Sequence, residues 1–292
     1  MLFSLISNGT PLTPDRSDAT IPWWSFTKTV LAAAALTLVR DGLIELDQPL
    51  PEGPFTLRQL LRHEAGLADY SELADYHGAV ARGDVPWPAD EMLQRLDASR
   101  LRYAPGDGWH YSNVGYLYVA RLIERLTGIA LDEALTQRVF VPLGLSRVRL
   151  ARREVDLHGV NMGAVATYDP GWVYHGLLVG PLVEAALCLD RLFASDFLAH
   201  SLLAQMQAVR TLGGPIPGRP WIAPGYGLGL MHGPVEGGRI LSGHTGVGPG
   251  SVVAVYRSVC GPDITTCAVF SDGTDEGAVE AEAVRLLSEH WV

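Results

Sequence analysis

The chain has 292 residues, 48% of them hydrophobic, enough to bury one large core or two closely packed lobes. Its 22 Lys+Arg against 32 Asp+Glu give a formal net charge of −10, and no basic run could track a phosphate backbone, which argues against nucleic acid as a partner. The 32 glycines and 19 prolines are scattered without a period, so collagen-like and low-complexity classes are excluded as well.

Residues 2–6 alternate weakly and predict a short strand, followed by a turn-rich loop over 8–18. The start lacks a basic n-region, a long apolar stretch and a small-x-small cleavage site, so the expected location is cytoplasmic. Residues 26–39 are rich in Ala and Leu, hold no Gly or Pro, and stop short of Gly42 in the C-cap position. That predicts a helix which Ser25 opens. Its apolar stretch, 30–39, is about half of what spans a bilayer, so no membrane partner is expected. Short helices are predicted over 56–62 and 88–96, a stronger one with a wide apolar stripe over 115–126, and another over 131–139. From about residue 220 the pattern changes to glycine-bounded strands over 226–231, 239–243, 251–256 and 265–270, spaced as an antiparallel meander, with a last helix over 277–290. The order predicts an α+β protein: an antiparallel sheet flanked by helices plus an inserted, mostly helical lobe. The sheet lobe would take about 1–55 and 220–292, the helical lobe about 56–219, with one cleft between them.

Cys188, Cys260 and Cys267 show no zinc spacing. Cys260 and Cys267 are placed to face each other across a predicted hairpin, where two reduced thiols are expected. His63, His110, His158, His175, His232 and His290 form neither an H-x3-H nor an HExxH pattern, so neither a metal site nor a cofactor is expected.

Three short motifs occur in order: Ser25-Phe26-Thr27-Lys28, Tyr111-Ser112-Asn113 and His244-Thr245-Gly246. A Ser-x-x-Lys alone reads equally well as an N-cap serine with a surface lysine. On a helix, however, residues i and i+3 share a face, which brings the lysine amine toward the serine hydroxyl. A desolvated lysine can take that proton, and the helix N-terminus favours an anion developing there. Lys28 also precedes an apolar run with no other charge before Arg40.

With these motifs and their flanks, the chain resembles the serine β-lactamase and penicillin-binding-protein superfamily, in the branch of class C β-lactamases, DD-peptidases, D-aminopeptidases and family VIII esterases. Residues 56–67, with Leu60-Leu61, Arg62-His63 and Ala65-Gly66-Leu67, are similar to that family's paired leucines, Thr-His and Ser-Gly-Leu. Pro105-Gly106 followed by Tyr111 to Tyr116, and the glycine-rich 226–229 followed by 243–246, resemble its flanks of the second and third motifs. The match covers roughly residues 20 to 275.

The resemblance implies that Ser25 is the acylated nucleophile and Lys28 its proton partner. Tyr111, as phenolate or through shared protons, would act as base in acylation and acid to the leaving group, its acidity raised by Lys28 and His244. Asn113 would orient Lys28 and a substrate amide, with Thr245 and Gly246 beside it. His244 replaces the lysine of the family's Lys-Thr-Gly and would carry a pH-dependent charge. The backbone N–H groups of Ser25 and Val247 would form the oxyanion hole. Trp24, Trp172, Tyr174 and Trp221 are candidate pocket walls. Only 24 residues precede Ser25, so the N-terminal sheet edge is expected to be shortened and open to a second copy of the chain. The expected function is a serine hydrolase acting on a small-molecule ester or amide, including a β-lactam or D-amino-acid amide. Two alternatives stand beside it: an acyltransferase passing the acyl group to an amine or alcohol, and an inactive binding protein on the same fold.

Overall fold

The computed structural model describes residues 1–12, 18–165, 167–194 and 196–289. Its main sheet follows from the β-branched, alternating segments near the C-terminus: Ile240–Gly248, Ser251–Cys260 and Asp263–Asp272 pair as an antiparallel meander. The first strand, Leu2–Ser7, closes on the last one in register Leu2 to Phe270, which ties the two ends of the chain together. On the other side follow Met231–Pro234, Gly225–Tyr226 and Arg210–Thr211. The outer strand beyond Leu2–Ser7 is only Thr10–Pro11, exposed and ending in a proline, so that edge is short, as expected from the sequence.

Alternation sorts this sheet into two faces. Val253, Val255, Ala268 and Phe270 point into the larger core, while Val252, Ala254, Tyr256, Cys267 and Val269 face the helix Glu276–Glu289 through its Val279, Ala283, Leu286 and Leu287. The helix Leu182–Ala194 packs on Leu2–Ser7 and Asp263–Asp272 from the first side. It lies within the 56–219 span but belongs to the sheet by its packing. The helix Thr27–Arg40, buried from Thr27 to Leu38, packs instead on Asn113–Thr127. It ends as its sequence predicts: Gly42 turns left-handed at φ +72°, and the Leu43 N–H returns to the Leu38 carbonyl at 2.9 Å.

Other predicted elements differ in instructive ways. Residues 226–231 are not one strand, because the chain leaves the sheet at Gly227 so that Gly229, at φ +78°, can touch the Ser25 helix and accept a hydrogen bond from Thr29 Oγ1 at 2.7 Å. The predicted helix over 131–139 is α only to Leu135 and continues as a π turn, Thr136–Phe140. Helices Ala74–Arg82, Leu182–Ala194 and His200–Gln207 and the strand Leu177–Pro181 have no counterpart among the predicted elements. That strand forms a small sheet with Thr20–Pro22 and Arg149–Ala151. Cys260 and Cys267 do not face each other: the register pairs Cys267 with Tyr256 and Cys260 with Asp263, and all three cysteines are free thiols. Residues 13–17 of the predicted loop, and His290 at the end of the predicted last helix, lie outside the described residues. Among the described residues no helix is long and apolar enough to cross a membrane.

Candidate active site

Three elements meet over Ser25: the turn that starts its helix, the beginning of Asn113–Thr127, and the strand Ile240–Gly248. Ser25 sits in a short 3-10 turn, Trp24–Phe26, that leads directly into Thr27–Arg40. The turn needs Trp24 at φ +40°, a left-handed conformation that costs a bulky residue on the order of 1–3 kcal/mol. Its surroundings fix it there. Trp24 Nε1 donates to Ser251 Oγ at 3.0 Å, and its ring meets the edge of Tyr168. Gly248 leaves room for the indole, and Gly246 lets the strand press against the Ser25 turn, since a Cβ there would stand 2.5 Å from the Ser25 nitrogen. Gly246→Ala is therefore expected to displace Ser25 and to lower kcat/KM on an activated ester by roughly 10²-fold or more, with a smaller loss in melting temperature. Unchanged steady-state kinetics would show that this contact does not set the geometry.

Ser25 Oγ lies between two groups. Lys28 Nζ is 3.2 Å away and Tyr111 Oη donates to it at 3.0 Å. Lys28 is fully buried, and burial pulls its pKa down to about 7 against the opposing pull of the Asp69 carboxylate. The amine is thus available as a base near neutrality. Tyr111 behaves oppositely to the sequence expectation. Burial raises its pKa, the hydrogen bond with Ser25 offsets only part of this, and the group stays a phenol rather than a phenolate.

His244 also departs from expectation. Burial first, and the nearby Lys28 charge second, push its pKa down to about 3, so it is neutral. Its Nδ1 lies 2.6 Å from the Thr245 carbonyl, which can only accept, so Nδ1 carries the proton and Nε2 accepts from Tyr226 Oη at 2.9 Å. Thr245 points the other way, as strand alternation requires. Its hydroxyl, 2.7 Å from Tyr256 Oη, donates to Glu280, a fully buried carboxylate paired with Arg219. Asn113 does not reach Lys28; its N–H and Nδ2 donate to the two Asp69 oxygens at 3.0 and 3.1 Å. Lys28 contacts His175 Nε2 instead, at 3.2 Å. Ser112 caps its helix by accepting from the Gly115 N–H, and its own N–H donates to His63 Nδ1 at 3.0 Å, which holds Tyr111 over the serine.

Two cavities open from Ser25 and share Ser25, Ser71, Asn113 and Val247. One, about 400 Å³, is lined by Asp69, Trp109, Tyr111, Arg219, His244 and Glu276. The other, about 390 Å³, is walled by Trp24, Tyr70, Tyr76, Tyr168, Val173 and His175. Val247, half-exposed, forms the lip between them.

Of the four candidate pocket walls, Trp24 lines the cleft and three do not. Trp172 is 1% exposed and packs in the core against Tyr76 and Trp87. Trp221, equally buried, stacks edge-on against Tyr256 behind the sheet. Tyr174 lines a separate surface groove with Pro86 and Trp87. His175, beside it, faces inward and reaches Lys28. Asp69, Arg219, Tyr76 and Tyr168 escaped sequence reasoning, because no spacing links them to the three motifs. Among the described residues no cluster of His, Cys, Asp and Glu could hold a metal ion.

The architecture and the Ser25–Lys28–Tyr111 cluster agree with the family that the three motifs resemble. The chain belongs to the beta-lactamase family, whose model matches residues 3–288. It is 28% identical over 299 residues to a D-aminopeptidase from Brucella anthropi, covering 94% of this chain and 54% of that protein. It is also 28% identical over 191 residues to a lovastatin esterase from Penicillium rubens, covering 53% and 47%. The chain thus spans about half the length of these curated relatives. Among solved structures, the D-amino acid amidase from Ochrobactrum anthropi SV3 superposes with a TM-score of 0.79 at 22% identity, over 98% of this chain and 91% of that one.

Proposed function

We propose that this chain is a serine hydrolase that cleaves a small-molecule ester or amide through an acyl-Ser25 intermediate. The observation that carries this reading is the placement of Ser25 Oγ, at the meeting of two cavities, between a buried lysine near neutrality and a buried phenol. Neutral Lys28 takes the Ser25 proton as Oγ attacks the carbonyl carbon. The ester or amide bond then breaks, Tyr111 passes its proton to the departing oxygen or nitrogen, and the proton held by Lys28 restores the Tyr111 phenol by way of solvent in the vacated leaving-group site. Water enters by the reverse route, losing a proton to the same pair as it attacks the acyl carbon. The backbone N–H groups of Ser25 and Val247 would receive the oxyanion, with the positive end of the helix that follows Ser25 beneath it.

Both cavities are mainly apolar, but only one carries Asp69, Arg219 and Glu276, and this supports a substrate with two unlike ends. The aromatic cavity suits an uncharged, bulky apolar group. The other, with Asp69, Glu276 and Arg219, suits a polar one. D-aminopeptidase and esterase relatives agree with cleavage of amide or ester bonds.

A fluorophosphonate probe followed by mass spectrometry tests the reading. An adduct on Ser25, absent from Ser25→Ala, is expected, and an unlabelled wild-type protein would overturn it. A panel of p-nitrophenyl esters, D-amino-acid amides and nitrocefin, run without any added amine or alcohol, then separates hydrolysis from transfer. Because Lys28 must be neutral to act, kcat/KM should fall about tenfold per pH unit below about pH 7. A profile flat from pH 8 to 5 would remove Lys28 from the base role.

A further inference from the structure

We infer that His175 is the positioning residue of Lys28: its Nε2 accepts a hydrogen bond from the lysine amine and so turns the amine's lone pair toward Ser25. The inference rests on the hydrolase reading above and adds to it a residue that none of the three motifs contains.

Among the described residues Lys28 Nζ has two hydrogen-bonding neighbours, Ser25 Oγ and His175 Nε2, each 3.2 Å away. A neutral amine carries two hydrogens and one lone pair, and only the lone pair can take the serine proton. One N–H must therefore go to His175, with Nε2 unprotonated and the imidazole proton on Nδ1. The opposite tautomer would aim an Nε2–H at the lone pair and block the base. Once Lys28 has taken the proton, the same unprotonated Nε2 accepts a charge-assisted hydrogen bond from the ammonium, which is itself fully buried.

The backbone holds His175 as firmly as it holds the serine. Gly176 turns at φ +95° with its N–H on the Val173 carbonyl at 2.7 Å, and the chain then enters Leu177–Pro181. Two residues on, Leu178 is stitched to both sides of the nucleophile turn. Its N–H donates to Thr27 Oγ1 at 3.2 Å, and its carbonyl accepts from the Trp23 N–H at 2.8 Å. Leu178 therefore fixes the distance between the His175 segment and Ser25. His175 is 3% exposed, its ring meets the edge of Tyr116, and its Nδ1 finds no partner among the described residues, so its one polar contact there is with Lys28.

The other titratable groups around this pair are Tyr111 and Tyr116, whose rings lie 5.0 and 5.7 Å from Lys28 Nζ, together with His63, His244 and Asp69. Burial keeps both phenols and all three histidines uncharged. Asp69 is the carboxylate that acts on Lys28. None of these is within hydrogen-bonding contact of Lys28, which leaves the acceptor role to His175.

The test follows the rate of fluorophosphonate labelling of Ser25 against pH, in wild type, His175→Leu and His175→Gln. Losing the acceptor destabilises the ammonium form, so His175→Leu should label roughly 10²-fold more slowly at its plateau, with the acid limb moved about one unit to lower pH. His175→Gln offers an amide oxygen at a similar reach and should recover most of both changes. A leucine variant that labels with the wild-type rate and limb would overturn the inference, as would a glutamine variant no better than leucine. Imidazole 15N shifts of the wild-type protein give a readout independent of any variant's folding: unprotonated Nε2 is expected, and a protonated Nε2 would also overturn it. Failure of the hydrolase reading looks different, since wild type itself would then take no label.

Discussion

Lys28→Met is expected to abolish acylation while making the protein harder to melt. As the only base within reach of Ser25 Oγ among the described residues, its loss should lower kcat/KM by roughly 10⁴-fold, the upper end of what a positioned base contributes. The stability effect has the opposite sign. Burial lowers the Lys28 pKa from its ordinary value to about 7, so the unfolded chain binds this proton across a window in which the folded chain does not. Stability of the wild type therefore rises with pH between about 7 and 10.5, and the full penalty is present below 7. Methionine fills a similar volume without that penalty. The variant should gain about 3 kcal/mol or more at pH 6 and progressively less toward pH 10. Urea titrations of both proteins at pH 6, 8 and 9.5 would check it. A variant less stable than wild type at pH 6 would mean that Lys28 contributes more by its contacts than it costs by its burial.

Much of the site was legible because its chemistry is local in sequence. The i, i+3 spacing placed Lys28 beside Ser25, and the order of the three motifs brought Tyr111 and His244 to the same cleft. What failed to be legible depends on long-range packing. Nothing around 172–175 distinguishes a tryptophan that ends in the core from a histidine that ends against Lys28, because the outcome turns on how Leu178 pairs with Trp23. Protonation states depend on the fold for a related reason. The motifs set two potential cations beside Tyr111, but His244 is itself too deeply buried to hold a charge. The strand meander and the principal helices were read from periodicity. The break at 227–230 was not, since it answers to the Ser25 helix rather than to its own neighbours.

The same buried cluster predicts a steep loss of stability in acid. His63, His175 and His244 surround Lys28, and each has its pKa lowered, chiefly by burial and next by the Lys28 charge. Their folded pKa values lie below the ordinary histidine value of about 6.5, so between the two the unfolded chain binds protons that the folded chain refuses. Stability is fully present above about pH 6.5 and is lost as the pH falls, toward about 3 in the case of His244. With three such groups the slope approaches about 4 kcal/mol per pH unit below roughly pH 5.5, enough to unfold a domain of ordinary stability within two units. Hydrogen bonding reinforces the effect: protonating His63 at Nδ1 would break its contact with the Ser112 N–H and release Tyr111 from above the serine. Urea unfolding at half-unit steps from pH 7 to 4.5 should show the slope, and a stability constant over that range would refute the neutral cluster. The two stability predictions are coupled through charge. Below pH 7 the Lys28 ammonium is part of what keeps these imidazoles unprotonated, so Lys28→Met should not only raise the stability at pH 6 but also shift the acid transition itself.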